Sequence, residues 1–260
     1  MTRLAANLTM MFTELPFLER FDAAARAGFK AVECVAPYVA PATVVQERLR
    51  ALGLTMALFN FPPGDWAAGE RGIGADPARR AEFRESIDRA LEYADATGCR
   101  TLHLMAGKIA AGANRAEWTD TLIDNVRLAA DAVVGRGLTI VLEPINTRVD
   151  VPGYFYDTTA AVLSVMNAAN RPNVKLLYDI YHMQIMEGDL ARTIERLLPR
   201  IGYVQLADNP GRNEPGTGEI NYRWLLERLD ALGYDGWVGC EYKPARETAA
   251  GLGWARTYLS

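Results

Sequence analysis

The chain has 260 residues, half of them hydrophobic and 23% charged, enough apolar material for one large α/β domain or two small ones. Its formal net charge is −4 and its pI is near 5.4, which argues against a general nucleic-acid binder, since those carry a basic face. No apolar run approaches the roughly 18 residues needed to span a bilayer, and the Met1–Asn7 stretch lacks the continuous apolar core of a secretion signal. Cys34, Cys99 and Cys240 are odd in number, far apart and set in or beside strand-like runs, so they read as buried free thiols in a reducing compartment. The expectation is a cytoplasmic globular protein with no nucleic-acid or membrane partner. A homo-oligomer is compatible with the sequence, which does not fix the oligomeric state.

One unit recurs along the chain: an amphipathic segment, a glycine, then a short apolar run. It occurs at Gly28, Gly53, Gly98, Gly137 and Gly233. A glycine just past a helix can take the left-handed conformation that closes it, and the apolar run then enters a strand. Strands are expected at about 3–8, 30–35, 54–60, 100–106, 138–143, 174–179, 201–206 and 236–241. Helical faces follow them. Phe17, Phe21 and Ala24 form one, and Phe83, Ile87, Ala90, Leu91 and Ala94 another. Leu122, Val126, Ala129 and Val133 form a third, opened by Asn114 with Glu117 at capping-box spacing. Further helices are expected at about 157–168, 188–197, 221–231 and 245–258. Eight βα units in this length predict an α/β protein of the (β/α)8 TIM-barrel class, a single domain spanning 1–260. A doubly wound sheet would share the alternation, but no G-x-G-x-x-G follows the first strand. One connection is long, about 61–77, with Trp66, Glu70 and Arg71 among glycines. It follows a strand and is expected to be a lid over the barrel mouth.

In a barrel, strand C-termini converge whatever their separation in sequence. The run Thr139–Leu142 stops at Glu143-Pro144, and proline has no N–H for the ladder, so Glu143 stands at the strand's carboxyl end. Asp179, Gln205 and Glu241 end the next three strands. Carboxylates brought together repel one another unless a cation sits between them, and an all-oxygen donor set suits Mg²⁺ or Mn²⁺. The alternative for each residue alone is a helix cap or a surface ion pair.

The segments Asp179-Ile-Tyr-His-Met-Gln184, Glu214-Pro-Gly-Thr-Gly-Glu-Ile-Asn-Tyr222 and Gly236-Trp-Val-Gly-Cys-Glu-Tyr-Lys-Pro244 closely resemble the hydroxypyruvate isomerase family, within the xylose-isomerase-like TIM-barrel superfamily. The likeness runs nearly end to end, through Gly64–Gly72. It implies Glu143 and Glu241 as the acid/base pair, and Glu143, Asp179, Gln205 and Glu241 as ligands of a divalent metal. It implies interconversion of hydroxypyruvate and tartronate semialdehyde. Phe59 stands where the isomerase pattern has His, and the related 2-oxo-tetronate isomerases resemble the chain more closely there. The substrate expected is a small keto-hydroxy acid, with a ketose handled by a 3-epimerase of the same superfamily as the alternative. A barrel that binds sugar without catalysis would be expected to lack one of the four donors, and all four are present.

His182 lies just past a strand end and is assigned to a substrate oxygen, while His103, between apolar neighbours, reads as core. An acidic substrate needs a cationic anchor. Lys108, Arg212 and Lys243 are candidates because each follows a strand end, with Glu70 and Arg71 of the long loop as further contacts.

Overall fold

The computed structural model describes residues 1–259. The strands run β1 Arg3–Asn7, β2 Ala31–Cys34, β3 Thr55–Asn60, β4 Thr101–His103, β5 Thr139–Leu142, β6 Val174–Asp179, β7 Ile201–Leu206 and β8 Trp237–Cys240. They pair in parallel and in sequence order, and β8 returns to β1 to close a barrel. Outside the strands lie α1 Phe17–Arg26, α2 Ala42–Leu52, α3 Arg80–Thr97, α4 Arg115–Ala132, α5 Thr159–Ala169, α6 Ile180–Met186, α7 Leu190–Leu197 and α8 Tyr222–Ala231. Gly53 and Gly98 close α2 and α3 with positive φ, the conformation a side chain disfavours.

Two apolar layers follow from strand periodicity. One face of each strand packs against the helices through residues such as Phe21, Phe83, Ile87 and Val126, all buried. The other fills the barrel with Ala5, Ala31, Leu58, Val141, Leu177 and Tyr203. Successive side chains alternate faces, so residues two positions after these plug residues point into the barrel one layer higher. That step leads from Ala5 to Asn7, Ala31 to Glu33, Val141 to Glu143, Leu177 to Asp179 and Tyr203 to Gln205. Hydrophobic filling thus gives way to polar groups at the carboxyl end.

Three expectations need adjusting. The segment expected as one helix at 188–197 belongs to a pair: α6 begins directly after β6, and Gly188 and Asp189, both at positive φ, separate it from α7. The C-terminal helix expected at 245–258 is broken into short turns, Thr248–Gly251 and Arg256–Leu259 joined by a 3-10 turn, in a segment that carries Gly251 and Gly253. Asn114 does cap α4, accepting from the Ala116 N–H at 3.1 Å, but no reciprocal bond from Glu117 is formed among the described residues. No helix among the described residues is long and apolar enough to cross a membrane, and all three cysteines are buried free thiols.

The loop between β3 and the turn before α3 is tied down at both ends. The Phe61 N–H donates to the His103 carbonyl, and those of Gly74 and Ala75 donate to the carbonyls of Met105 and Ala106. Its middle carries Trp66, with the Arg71 guanidinium 3.8 Å from the ring centroid.

Candidate active site

Adjacent strands set the site. Asp179 is in register with Gln205, Gln205 with Gly239, and Asn7 with Glu33. Glu143, Asp179, His182 and Glu241 each bring one donor atom into a cluster whose members lie within 4.8 Å of one another. A cavity of about 610 Å³ opens above them, lined among others by Trp66, Arg71, Asp150, Arg212 and Lys243.

Each carboxylate is held by a different device. Asp179 is also the N-cap of α6: its Oδ1 accepts from the backbone N–H groups of Tyr181 at 2.7 Å and His182 at 3.1 Å. Cap and site residue are therefore one side chain, with Oδ2 left for the cluster. Glu241 accepts from Arg212 Nη2 at 2.7 Å on one oxygen and from Asn7 Nδ2 at 3.3 Å on the other. Glu143 is buried, with Oε2 3.6 Å from His103 Nδ1 and Oε1 3.6 Å from His182 Nε2. Burial first, then the charges of Glu241 and Asp179, push Glu143 well above the ordinary carboxylate range. The same causes, burial and then Glu241, raise Asp179 to about 7. Burial raises Glu241 as well, against the pull of Arg212.

The donor set fits a hard divalent cation. Glu143 Oε1, Asp179 Oδ2 and Gln205 Oε1 are buried oxygens without a hydrogen-bond partner, a costly arrangement unless something positive satisfies them. Gln205 is presented oxygen-first because its Nε2 donates to Glu33 Oε1 at 2.9 Å. Glu33, fully buried in β2, also accepts from Asn7 Nδ2 at 2.8 Å. Burial and then Glu241 raise Glu33 to about 8. Gly239 makes the room: a Cβ at that position would overlap both carboxylate oxygens of Glu33.

The other expected site residues divide. Arg212 reaches the cluster but is not a free anchor, since it bridges Asp150 at 3.0 Å and Glu241 at 2.7 Å. Burial works against its charge, but Glu241, Asp179 and Asp150 outweigh it and hold the guanidinium above its usual value. Lys243 and Arg71 line the cavity, and among the described residues neither has a carboxylate partner. Glu70 and Lys108 lie outside the cavity lining. Glu70 is paired with Arg79 at 2.6 Å and accepts the Asp65 N–H, so it braces the loop, and Lys108 is exposed beyond the end of β4. Phe59 packs between sheet and helices, edge-on to Tyr38, and does not itself line the cavity.

Sequence reasoning passed over Glu33, Asn7, Asn146 and Asp150. The first two obey the same two-residue step that yields Glu143, so periodicity counted from Ala5 and Ala31 would have found them. Asn146 and Asp150 lie in a loop, where no period applies. His103, expected as core, is buried but touches Glu143, and burial lowers it to about 3, so it stays neutral.

The barrel and its carboxylate cluster define a class, and residues 21–258 match the xylose isomerase-like TIM barrel family; the chain belongs to it. Within that class it is 51% identical to a 2-oxo-tetronate isomerase of Cupriavidus necator, over 100% of this chain and 99% of that protein. It is 43% identical to the hydroxypyruvate isomerase of Escherichia coli, over 99% of this chain and 100% of that one. Relatives of this kind over the full length make the chain an isomerase. A solved structure from Brucella melitensis, named as an AP endonuclease of family 2, superposes with a TM-score of 0.96 at 49% identity, covering 99% of each chain.

Proposed function

We propose that the protein isomerises a small 2-keto-3-hydroxy acid, interconverting hydroxypyruvate and tartronate semialdehyde. The observation that carries this reading is the set of buried, partnerless oxygens of Glu143, Asp179 and Gln205 beneath a cavity lined also by Arg71 and Lys243, neither of which has a carboxylate partner among the described residues. Glu143, Asp179, Gln205 and Glu241 would hold a divalent cation, Mg²⁺ or Mn²⁺. When bound, such an ion supplies electrostatic stabilisation to neighbouring substrate oxygens as they gain charge.

The side chains account for the rest. One glutamate of the Glu143–Glu241 pair takes the proton from the carbinol carbon, leaving an enediolate, and a proton returns to the former keto carbon. The hydroxyl proton passes between the two oxygens, so atoms and electrons balance without an outside oxidant or reductant. Burial raises both glutamates in the metal-free protein, and a bound cation would pull them back down, favouring the carboxylate form that can take the proton. His182 faces the same gap and serves a substrate oxygen. Arg71 and Lys243 suit the substrate carboxylate, which a neutral ketose lacks. The loop at 61–77, carrying Trp66 and Arg71, acts as a lid that excludes water from the enediolate.

The second reading is isomerisation of a 2-oxo-tetronate, favoured by the 51% identical relative. Its substrate is one carbon longer and offers the same carboxylate, ketone and hydroxyl. A nuclease reading finds no support in a chain of net charge −4 with two histidines.

Turnover measured with hydroxypyruvate, a 2-oxo-tetronate and a free ketose, with Mg²⁺ or Mn²⁺ present, tests the proposal. Hydroxypyruvate should be consumed, and Glu143→Gln or Glu241→Gln should abolish that activity while the circular dichroism spectrum persists. Epimerisation of the ketose with both acids untouched would overturn it.

A further inference from the structure

Asn146 follows Glu143 by three residues in the loop after β5 and is completely buried. Its side-chain oxygen accepts the backbone N–H groups of Val149 and Asp150, each at 3.0 Å. Backbone N–H groups only donate, so these two bonds fix which end of the amide is oxygen. The nitrogen must face the other way. There it donates to Asp150 Oδ2 at 2.6 Å and lies 2.7 Å from His182 Nδ1. Asp150 is itself held, by the Tyr181 hydroxyl at 2.9 Å and by Arg212 at 3.0 Å, so the amide sits in a fixed frame.

An amide NH₂ has two protons to give and no lone pair to offer, so His182 Nδ1 must be the acceptor. A ring with a bare Nδ1 carries its proton on Nε2, and a doubly protonated ring would set N–H against N–H. The Nε2–H is the end that faces the partnerless Oε1 of Glu143 at 3.6 Å and Oδ2 of Asp179 at 3.9 Å. A protonated ring nitrogen has no lone pair for a cation. By composition the cluster could include His182 as a ligand; by tautomer it does not.

We infer that Asn146 is a positioning residue that locks His182 as the neutral Nε2–H tautomer, making the imidazole a hydrogen-bond donor to a substrate oxygen and keeping it out of the metal's ligand set. The substrate half of this statement rests on the isomerase reading of the site. The tautomer half rests only on the hydrogen bonds around Asn146.

The test is long-range ¹H–¹⁵N correlation on the uniformly labelled, full-length protein, which has only His103 and His182 to resolve. A His103→Gln variant assigns the signals. His182 should show a protonated, pyrrole-like Nε2 and a bare, pyridine-like Nδ1, and saturating Mg²⁺ should leave both in place. A protonated Nδ1, or loss of the Nε2 proton when Mg²⁺ is added, would overturn the inference. In Asn146→Asp the amide donor becomes a carboxylate acceptor, so His182 should gain a proton at Nδ1. Its kcat for hydroxypyruvate should fall by about 10²-fold, the scale of losing one hydrogen-bond donor to an oxygen that gains charge. An Asn146→Asp protein whose His182 keeps a bare Nδ1 would remove Asn146 from this role. Should that variant fail to fold, the wild-type spectra decide alone. A wild-type protein with the stated tautomer but no turnover of either acid would defeat the functional proposal and leave the tautomer assignment standing.

Discussion

Glu33 shows how much one buried side chain can govern without touching a ligand. It takes both the Gln205 and the Asn7 amide nitrogens on a single oxygen, which leaves the Gln205 oxygen, buried and without a partner, as the free end of that amide. Its space exists because β8 has a glycine at 239. Gly239→Ala should therefore displace the Glu33 carboxylate. The expected cost is about 1–3 kcal/mol, the range for overpacking a filled interior, seen as a lowered midpoint in urea unfolding. Mg²⁺ affinity, read by titration calorimetry, should weaken with it. Glu33→Ala in the same chain removes the overlap, so the double variant should be less destabilised than the two single losses added together. Strict additivity would mean that residues 33 and 239 do not meet.

At the scale of elements, the loop after β7 does for Arg212 what a strand does for Glu143. Asp208, fully buried at its start, accepts four backbone N–H groups, from Asn209, Gly216, Gly218 and Ile220, at 2.8–3.1 Å. That hub folds the segment so that Arg212, held at φ 53 in the sparsely populated left-handed region, spans Asp150 and Glu241. Asp208→Ala would strand those donors. A loss of at least about 2 kcal/mol is expected, since each unsatisfied buried donor costs about 1–3 kcal/mol and water can reach some of them. Thermal unfolding and limited proteolysis between 208 and 220 would show it. Turnover should fall as well, because Arg212 would no longer hold Glu241. An active, protease-resistant variant would show that the loop is braced elsewhere.

For the molecule as a whole, folding gathers carboxyl groups that prefer to be apart. Burial, then Glu241, raises Asp179 from 3.8 to about 7 and Glu33 from 4.5 to about 8. Between these limits the folded chain binds more protons than the unfolded one, so their contribution to stability falls as pH rises. In chelator-treated protein the melting temperature should drop between about pH 5 and pH 8, the window those raised values define. Mg²⁺ favours the deprotonated site and should restore more stability at the higher pH than at the lower. Scanning calorimetry at both pH values, with and without Mg²⁺, checks the sign. A chelated protein more stable at about pH 8 would contradict it.

Much of this was open to a reader of the sequence alone. The strand runs, the glycines that close α2 and α3, and the carboxylates at the ends of β5, β6 and β8 are local features set by period, backbone conformation and the missing N–H of Pro144. Barrel closure follows from counting eight such units, and convergence of the strand ends follows from closure. The tertiary structure alone decided which polar groups face one another. Glu70 and Lys108 follow strands as Arg212 and Lys243 do, yet only the latter two line the cavity, because loop paths are fixed by partners far away in sequence. Glu33 and Gly239 are on opposite sides of the chain's numbering and adjacent only once β8 closes against β1. The proton on His182 is set by Asn146, whose own orientation depends on two backbone N–H groups of a folded loop. A sequence names the donors; only the fold assigns their directions.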